Sequence, residues 1–305
     1  MDVAQEYRFN IKEKIKMMKK ASKIFKYLLG LSLIKIFFVP NSSIAFFPRI
    51  NEPSQQEFEC TSRQIGKTAL QLIQFGQYKE AIKILKLALK LNPTEETLWT
   101  ALADAQFKSK DTDSALLSLD KVLVINPKNA SIYFAKGSIY MNSKNLKNAI
   151  LMLNQGLLLD NKNETGYFQL GNAYIMLKEY KKALHTYNKV TKLNPSFWQV
   201  INNKGLILYE INKKEEALSK FKLAAKLSNN AEPRLALAIS SYSIKGISIE
   251  TLNIAKNALI DNPKYADIEY QSEQLWGRKL QHSAKLFFKT KEMKKVVREA
   301  REKTE

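Results

Sequence analysis

The chain of 305 residues contains a single cysteine, Cys60. One thiol makes no intrachain disulfide and no multi-cysteine metal site. Its neighbours lack the small-residue pattern of a lipoprotein cleavage site, so it reads as an isolated thiol. Glycine and proline are scarce, with 10 and 8 residues. That scarcity excludes a loop-rich β-sandwich and favours helix. There are only two histidines, His185 and His282. His185 stands among Lys181, Lys182 and Lys189, without a His, Cys or carboxylate at metal-ligand spacing. No phosphate-cradling glycine loop, nucleophile elbow or HExxH pattern occurs. The pairs Glu95-Glu96 and Glu215-Glu216 fall at helix starts, where they offset the helix dipole. The expectation is a chain with no catalytic residues, no metal, no cofactor and no small-molecule substrate.

Acidic residues are the minority. Forty-nine Lys and Arg against 29 Asp and Glu leave a formal charge of +20. The excess runs along the chain and is densest near its start. Such a balance attracts anionic membrane surfaces or nucleic acid. No aromatic-interleaved basic stripe accompanies it, so nucleic acid is not the expected partner and most of the lysines read as solvated helix faces.

The first 45 residues read as a targeting segment. Lys19, Lys20, Lys23 and Lys26 precede a mainly apolar run from Tyr27 to Val39, interrupted by Lys35. Pro40-Asn41 breaks the helix, and Ser43-Ile44-Ala45 then places small residues as a signal peptidase requires. The run falls short of the roughly 20 residues that span a bilayer. Two readings stand: a cleaved signal, or an N-terminal membrane anchor. The basic region is long for a signal, which makes Met17 or Met18 an alternative start. Either way the chain is expected to be exported or membrane-associated, in a periplasm, a lumen or at an anchoring membrane. Residues 46–61, with Pro48 and Pro53 among polar residues, read as a linker.

The middle repeats itself. Pro93, Pro127, Asn161, Pro195, Asn229 and Pro263 follow one another at intervals of 34 residues. Ala81, Ala115, Ala149, Ala183 and Ala217 keep the same step, with Thr251 departing. So do Leu85, Leu119, Leu153, Tyr187 and Phe221, with Ala255 departing. A further column runs through Ala69, Ala103, Gly137, Gly171 and Gly205, with Ile239 departing. Each unit is expected to be two antiparallel helices. Small residues let the helices approach, large ones bury against the next unit, and Asn-Pro ends the second helix.

The period and the columns Tyr167-Leu170-Gly171-Tyr174-Ala183-Tyr187-Pro195 resemble the tetratricopeptide repeat (TPR) family. The resemblance covers six units over 62–265, best in the fourth and poorest in the sixth. It implies an all-α, right-handed α-α solenoid whose stability is a nearest-neighbour sum. Residues 266–305 are expected to cap it, with Ile268, Leu275, Trp276 and Leu280 on the last unit and a solvated, charged terminal helix; the alternative is that the Trp276 segment is an amphipathic helix that binds a partner. The family also implies a concave groove lined by the first helices. Its positions here are Asp104, Phe134, Ser138, Phe168, Asn172, Gln199, Asn202 and Tyr209. They carry almost no positive charge, which argues against a carboxylate clamp. Phe134 and Phe168 would take apolar side chains of an extended peptide, with Asn172 and Asn202 bonding its backbone; the alternative is that both rings pack between units.

The expected function is a non-catalytic scaffold that binds a protein or peptide in this groove. Similarity of layout suggests an assembly factor for a membrane complex, such as those of cyanobacteria and plastids. The alternative is a Lys-rich convex face that binds an anionic membrane surface or nucleic acid.

Overall fold

The structure is a computed structural model, and it describes residues 53–304. The expected signal or anchor over residues 1–45 lies outside the described residues. Among the described residues no helix is long and apolar enough to cross a membrane. The chain divides into two compact units, one ending at Ala101 and one beginning at Leu102.

The first unit holds α1 (Gln55–Gln74), α2 (Tyr78–Leu91) and the start of α3 (Glu96–Lys108). Helix α1 is opened by a capping box. Ser54 Oγ accepts from Glu57 N, and Glu57 Oε2 accepts from Ser54 N, satisfying two donors that would otherwise face water alone. The linker expected over 46–61 is therefore too long, since residues 55–61 are helical. Within the unit, Ala69, Ala81, Leu85 and Ala88 are fully buried, and the Ser62 hydroxyl donates to Ala88 O.

The second unit is a run of helix pairs. They are α4 (Thr112–Ile125) following the rest of α3, then α5 (Ala130–Asn142) with α6 (Leu146–Leu159) and α7 (Glu164–Met176) with α8 (Tyr180–Leu193). Next come α9 (Trp198–Glu210) with α10 (Lys214–Leu227), and α11 (Ala231–Lys245) with α12 (Ile249–Asp261). Each second helix also touches the first helix of the following pair. A short 3-10 turn (Pro263–Ala266), α13 (Ile268–Glu273), α14 (Arg278–Phe288) and α15 (Lys291–Glu302) complete it.

The small and large columns meet as their sizes require. A Cβ added at Gly137, Gly171 or Gly205 would come within 2.7, 2.2 and 2.7 Å of Leu153, Tyr187 and Phe221 respectively. These large residues, with Ala149, Ala183 and Ala217, have no exposed surface. The sixth repeat exchanges the sizes: Ile239 stands in the small column and Ala255 in the large one, and both are fully buried. Its departures from the pattern compensate each other, which keeps the core filled.

Two further columns make the turns. Gly76, Lys110, Lys144, Lys178, Asn212 and Gly246 all have positive φ, between 58° and 82°. In all four lysine and asparagine turns the same bonds recur, as in Lys144 N to Met141 O and Asn145 N to Tyr140 O. This is the bonding that caps a helix end through one left-handed residue. At the second turn, Asn126, Asp160, Asn194 and Asn262 accept from the backbone two residues on, so the side chain forms the corner and proline is dispensable at Asn161. A lysine in the left-handed region is strained, whereas glycine is not. Gly76→Ala is expected to cost about 1 kcal/mol, and Lys110→Gly to gain up to about 1 kcal/mol, read from urea denaturation midpoints.

The C-terminal residues pack as the expected cap, more deeply than the sequence suggests. Trp276, Leu280, Phe287 and Phe288 are buried, while Ile268 and Leu286 remain exposed. Helix α14 contacts α9 and α11, and α15 contacts α12. The terminal helix was expected to be solvated; instead Met293, Val297 and Ala300 are buried. Their spacing of four and three residues places them on one stripe.

A cleft between the first helices and the C-terminal segment

The helices α5, α7 and α9 present one face each to a common cleft of about 1020 Å³, closed on its far side by the stretch Ser272–Gln281. Its floor includes Met141, Ile175 and Met176, and its polar lining includes Ser138, Asn142, Gln169 and Asn172. Lys144, Lys178 and Arg278 stand at the edge, with Glu210 and Glu273.

Two of these polar groups are held in place from below. Gln169 Nε2 donates to Ser138 Oγ at 2.8 Å, joining the third repeat to the fourth. The other end of that amide, Gln169 Oε1, is buried and has no hydrogen-bond partner among the described residues. Asn172 Oδ1 accepts from the Tyr187 hydroxyl and from Asn203 Nδ2. Burial pushes the Tyr187 phenol far up, opposed by the bond from Asn203 and helped by Glu232. Tyr180, also at the cleft, is raised by burial and then by the charge of Glu210.

The wall made by the C-terminal segment is bonded in. Glu210 Oε1 accepts from Lys279 N at 2.7 Å. A Cβ at Gly277 would lie 2.1 Å from the Glu210 side chain, so any larger residue there would push that carboxylate off Lys279 N. Leu275, in the left-handed region, packs against both adjoining cores. Glu232 Oε1 accepts from Trp276 Nε1 at 3.2 Å and from Asn202 Nδ2 at 2.8 Å. Burial pushes the Glu232 carboxyl up to about 7, against the lowering effect of the bonds from Trp276, Asn202 and Tyr265.

The expected groove residues separate accordingly. Ser138 and Asn172 line the cleft. Phe134 does not: its ring lies against Gly156 and Gly166, where an added Cβ would be 2.6 and 2.5 Å away. Phe168 sits 6.3 Å from Tyr187 and 5.3 Å from Phe197, ring centre to ring centre. Both rings therefore fill the space between consecutive repeats, the alternative left open by the sequence. Asn202 is fully buried on Glu232. Tyr209 is fully buried too, its hydroxyl bonded to Ser243 and Ser283 of the cap. Asp104 pairs with Lys108 one turn along its own helix at 2.9 Å, and Gln199 is half-buried away from the cleft. Much of the inner face of the fifth and sixth repeats is thus covered by the protein's own C-terminal segment, where Trp276 and Leu280 are buried and gain by leaving water. Gln169 and the 272–281 wall were not among the expected site residues; the Trp-Gly pair in an otherwise charged stretch is the signal that marks the wall.

No cluster of His, Cys and carboxylates fit to hold a metal occurs among the described residues.

The stretches that build these helix pairs match family models described as tetratricopeptide repeat, over residues 72–139, 130–163 and 165–197. The chain is a TPR protein. No curated protein matches it. Among solved structures, Pseudomonas aeruginosa pilF is 21% identical, covering 72% of this chain and 98% of its own, with a TM-score of 0.56. A MamA protein is 22% identical over 64% of this chain and 98% of its own, with a TM-score of 0.50. The 41-end segment of MamA from Desulfovibrio magneticus RS-1 is 20% identical over 57% and 97%, with a TM-score of 0.51. At these identities the likeness is one of fold. TPR helix pairs, without a strand among the described residues, account for the architecture.

Proposed function

We propose that this TPR protein is a non-catalytic scaffold that holds an extended segment of a partner protein in the cleft of α5, α7 and α9. The observation that carries this is a preformed 1020 Å³ cleft whose lining joins the apolar Met141, Ile175 and Met176 to the polar Ser138, Asn142 and Asn172. A peptide main chain bonds to the polar lining, such as Ser138 and Asn142, and its side chains rest on Met141, Ile175 and Met176. Few polar groups over an apolar floor is the usual composition of such sites. Lys144, Lys178 and Arg278 favour acidic residues in the flanks of the bound segment.

The order of basic, apolar and small residues in 1–45 supports export or membrane association. With it goes a role in assembling a membrane complex, attached through the N-terminal segment if that segment is retained. The cleft is the part of this reading that a peptide titration tests directly.

Peptides selected from a displayed random library against the full chain are expected to include extended acidic binders. Titrated against Met141→Glu/Met176→Glu, they should bind at least about tenfold more weakly, since charges replace an apolar floor. The circular dichroism spectrum should not change. Equal affinity for the two proteins would refute the cleft as the binding site.

A further inference from the structure

The outward row of the second helices changes character between repeats. In α4 it carries Leu117 and Val124, and in α6 Leu151 and Leu158, at equivalent positions. They are 64, 47, 51 and 77% exposed. The same two positions hold Lys83 and Lys90 in the first repeat, His185 and Lys192 in the fourth, Ser219 and Lys226 in the fifth, and Asn253 and Ile260 in the sixth. Seven residues are two helical turns, so each pair lies on one stripe. Ile125 and Leu159, one residue further along each helix, are 37 and 45% exposed and widen the patch. Nothing in the core needs these side chains, since Ala115, Leu119, Val122, Ala149 and Leu153 already fill the inward face.

The surroundings are basic. Lys147 lies on the apolar stripe of α6, and the matching stripe of α8 is Lys181, His185 and Lys192, all exposed. Lys189 of α8 extends over the Tyr167 ring, 5.1 Å from its centre. Among the acids on this side, Asp120 pairs with Lys136 of α5 and Glu179 with Lys182 at 2.7 Å, while Asp113, at the α4 position equivalent to Lys147 and Lys181, is exposed and offsets part of the positive charge. Protruding leucines beside a row of lysines suit a surface that is apolar just below and negative at the top. The apolar patch is small against the roughly 20–30 residues a side of a standard protein interface.

We propose that the outer face of α4, α6 and α8 docks onto a membrane surface rich in anionic lipid. The leucines enter the boundary between headgroups and acyl chains, and the lysines take the lipid phosphates. This reading does not depend on the inner cleft. Where the apolar run Tyr27–Val39 is retained, the face supplies the second attachment that stable anchoring requires.

A nitroxide label on the full chain tests this directly. In a Cys60→Ser background it is placed at Leu158→Cys on the outer face or at Asn142→Cys in the cleft. On vesicles with about 30% phosphatidylglycerol, the label at position 158 should become accessible to oxygen and shielded from an aqueous nickel complex. The label at 142 should stay aqueous. Phosphatidylcholine vesicles, or about 0.5 M salt, should reverse the effect. Lys181→Glu/Lys192→Glu should reduce the docked fraction about tenfold, since each lysine near such a surface contributes measurably to attachment. Because a retained anchor holds both labelled proteins alike, it does not confound the comparison. The proposal is overturned if the label at 158 stays as aqueous as that at 142 on anionic vesicles. It is also overturned if the 158 label is immobilised without vesicles as protein concentration rises, which would make the face a contact between copies of this chain.

Discussion

Trp276→Ala should cost the second unit about 3–5 kcal/mol, the usual range for a buried large aromatic. The side chain is 4% exposed, lies 5.7 Å from the Tyr265 ring and donates to Glu232. Its loss leaves a cavity and removes a bond from a buried carboxyl. The cap should then detach first, because stability in a repeat array is local, and α14 and α15 should become sensitive to protease at concentrations the wild type resists. Trp276→Phe keeps most of the ring and loses the N–H, and should cost closer to 1 kcal/mol. The pH dependence gives a second readout. Glu232 titrates in the folded state at about 7, above its ordinary 4.5, so the folded chain holds that proton more tightly than the unfolded one. Its contribution to stability is complete below pH 4.5 and disappears as pH rises to about 7. Water reaching Glu232 in Trp276→Ala should flatten that slope. A loss below about 1 kcal/mol in urea denaturation, with the slope unchanged, would mean the C-terminal wall is not structural.

The second large effect is a coupling. Gly205→Ala places a methyl group where Phe221 already lies, 2.7 Å away, and should cost about 2–3 kcal/mol. Phe221→Leu alone should cost about 1 kcal/mol for lost volume. Together they recreate the Ala-with-Leu pairing at Ala103 and Leu119 in the second repeat. The double variant should therefore be more stable than Gly205→Ala alone, with an interaction energy of at least about 1 kcal/mol in the cycle. Additive costs would show that the two columns do not meet as described.

The helices and their pairing were legible because every repeat solves the same local problem with residues a fixed distance apart. The columns of Ala, Gly and large side chains state both which faces pack and how closely. Asn-Pro marks one corner in plain sight. The other corner was hidden, since Lys110, Lys144 and Lys178 give no sign in the sequence that they adopt positive φ. The site was only half legible, for a different reason. Ser138 and Asn172 follow from repeat position alone. Asn202 and Tyr209 hold the places of Phe168 and Ile175 in the fifth repeat, yet Asn202 is buried on Glu232 and Tyr209 is bonded to Ser283, 74 positions later. Position within a repeat says which way a side chain faces. It does not say whether another part of the chain has arrived there. Phe134 and Phe168 fail similarly, because glycines at 156 and 166 open a space for one ring and Phe197 offers a face to the other.

The exchange of sizes at Ile239 and Ala255 bears on how such a chain can be cut and rejoined. Whole units from the third to the fifth carry Gly opposite a bulky partner, so duplicating or excising one of them keeps that fit inside every remaining unit. A crossover inside the sixth is different. It would set Ile239 against a ring, or a glycine against Ala255, giving a collision in one product and a void in the other. Permissible breakpoints therefore lie at the corners between units, and the last helix pair travels only as a whole.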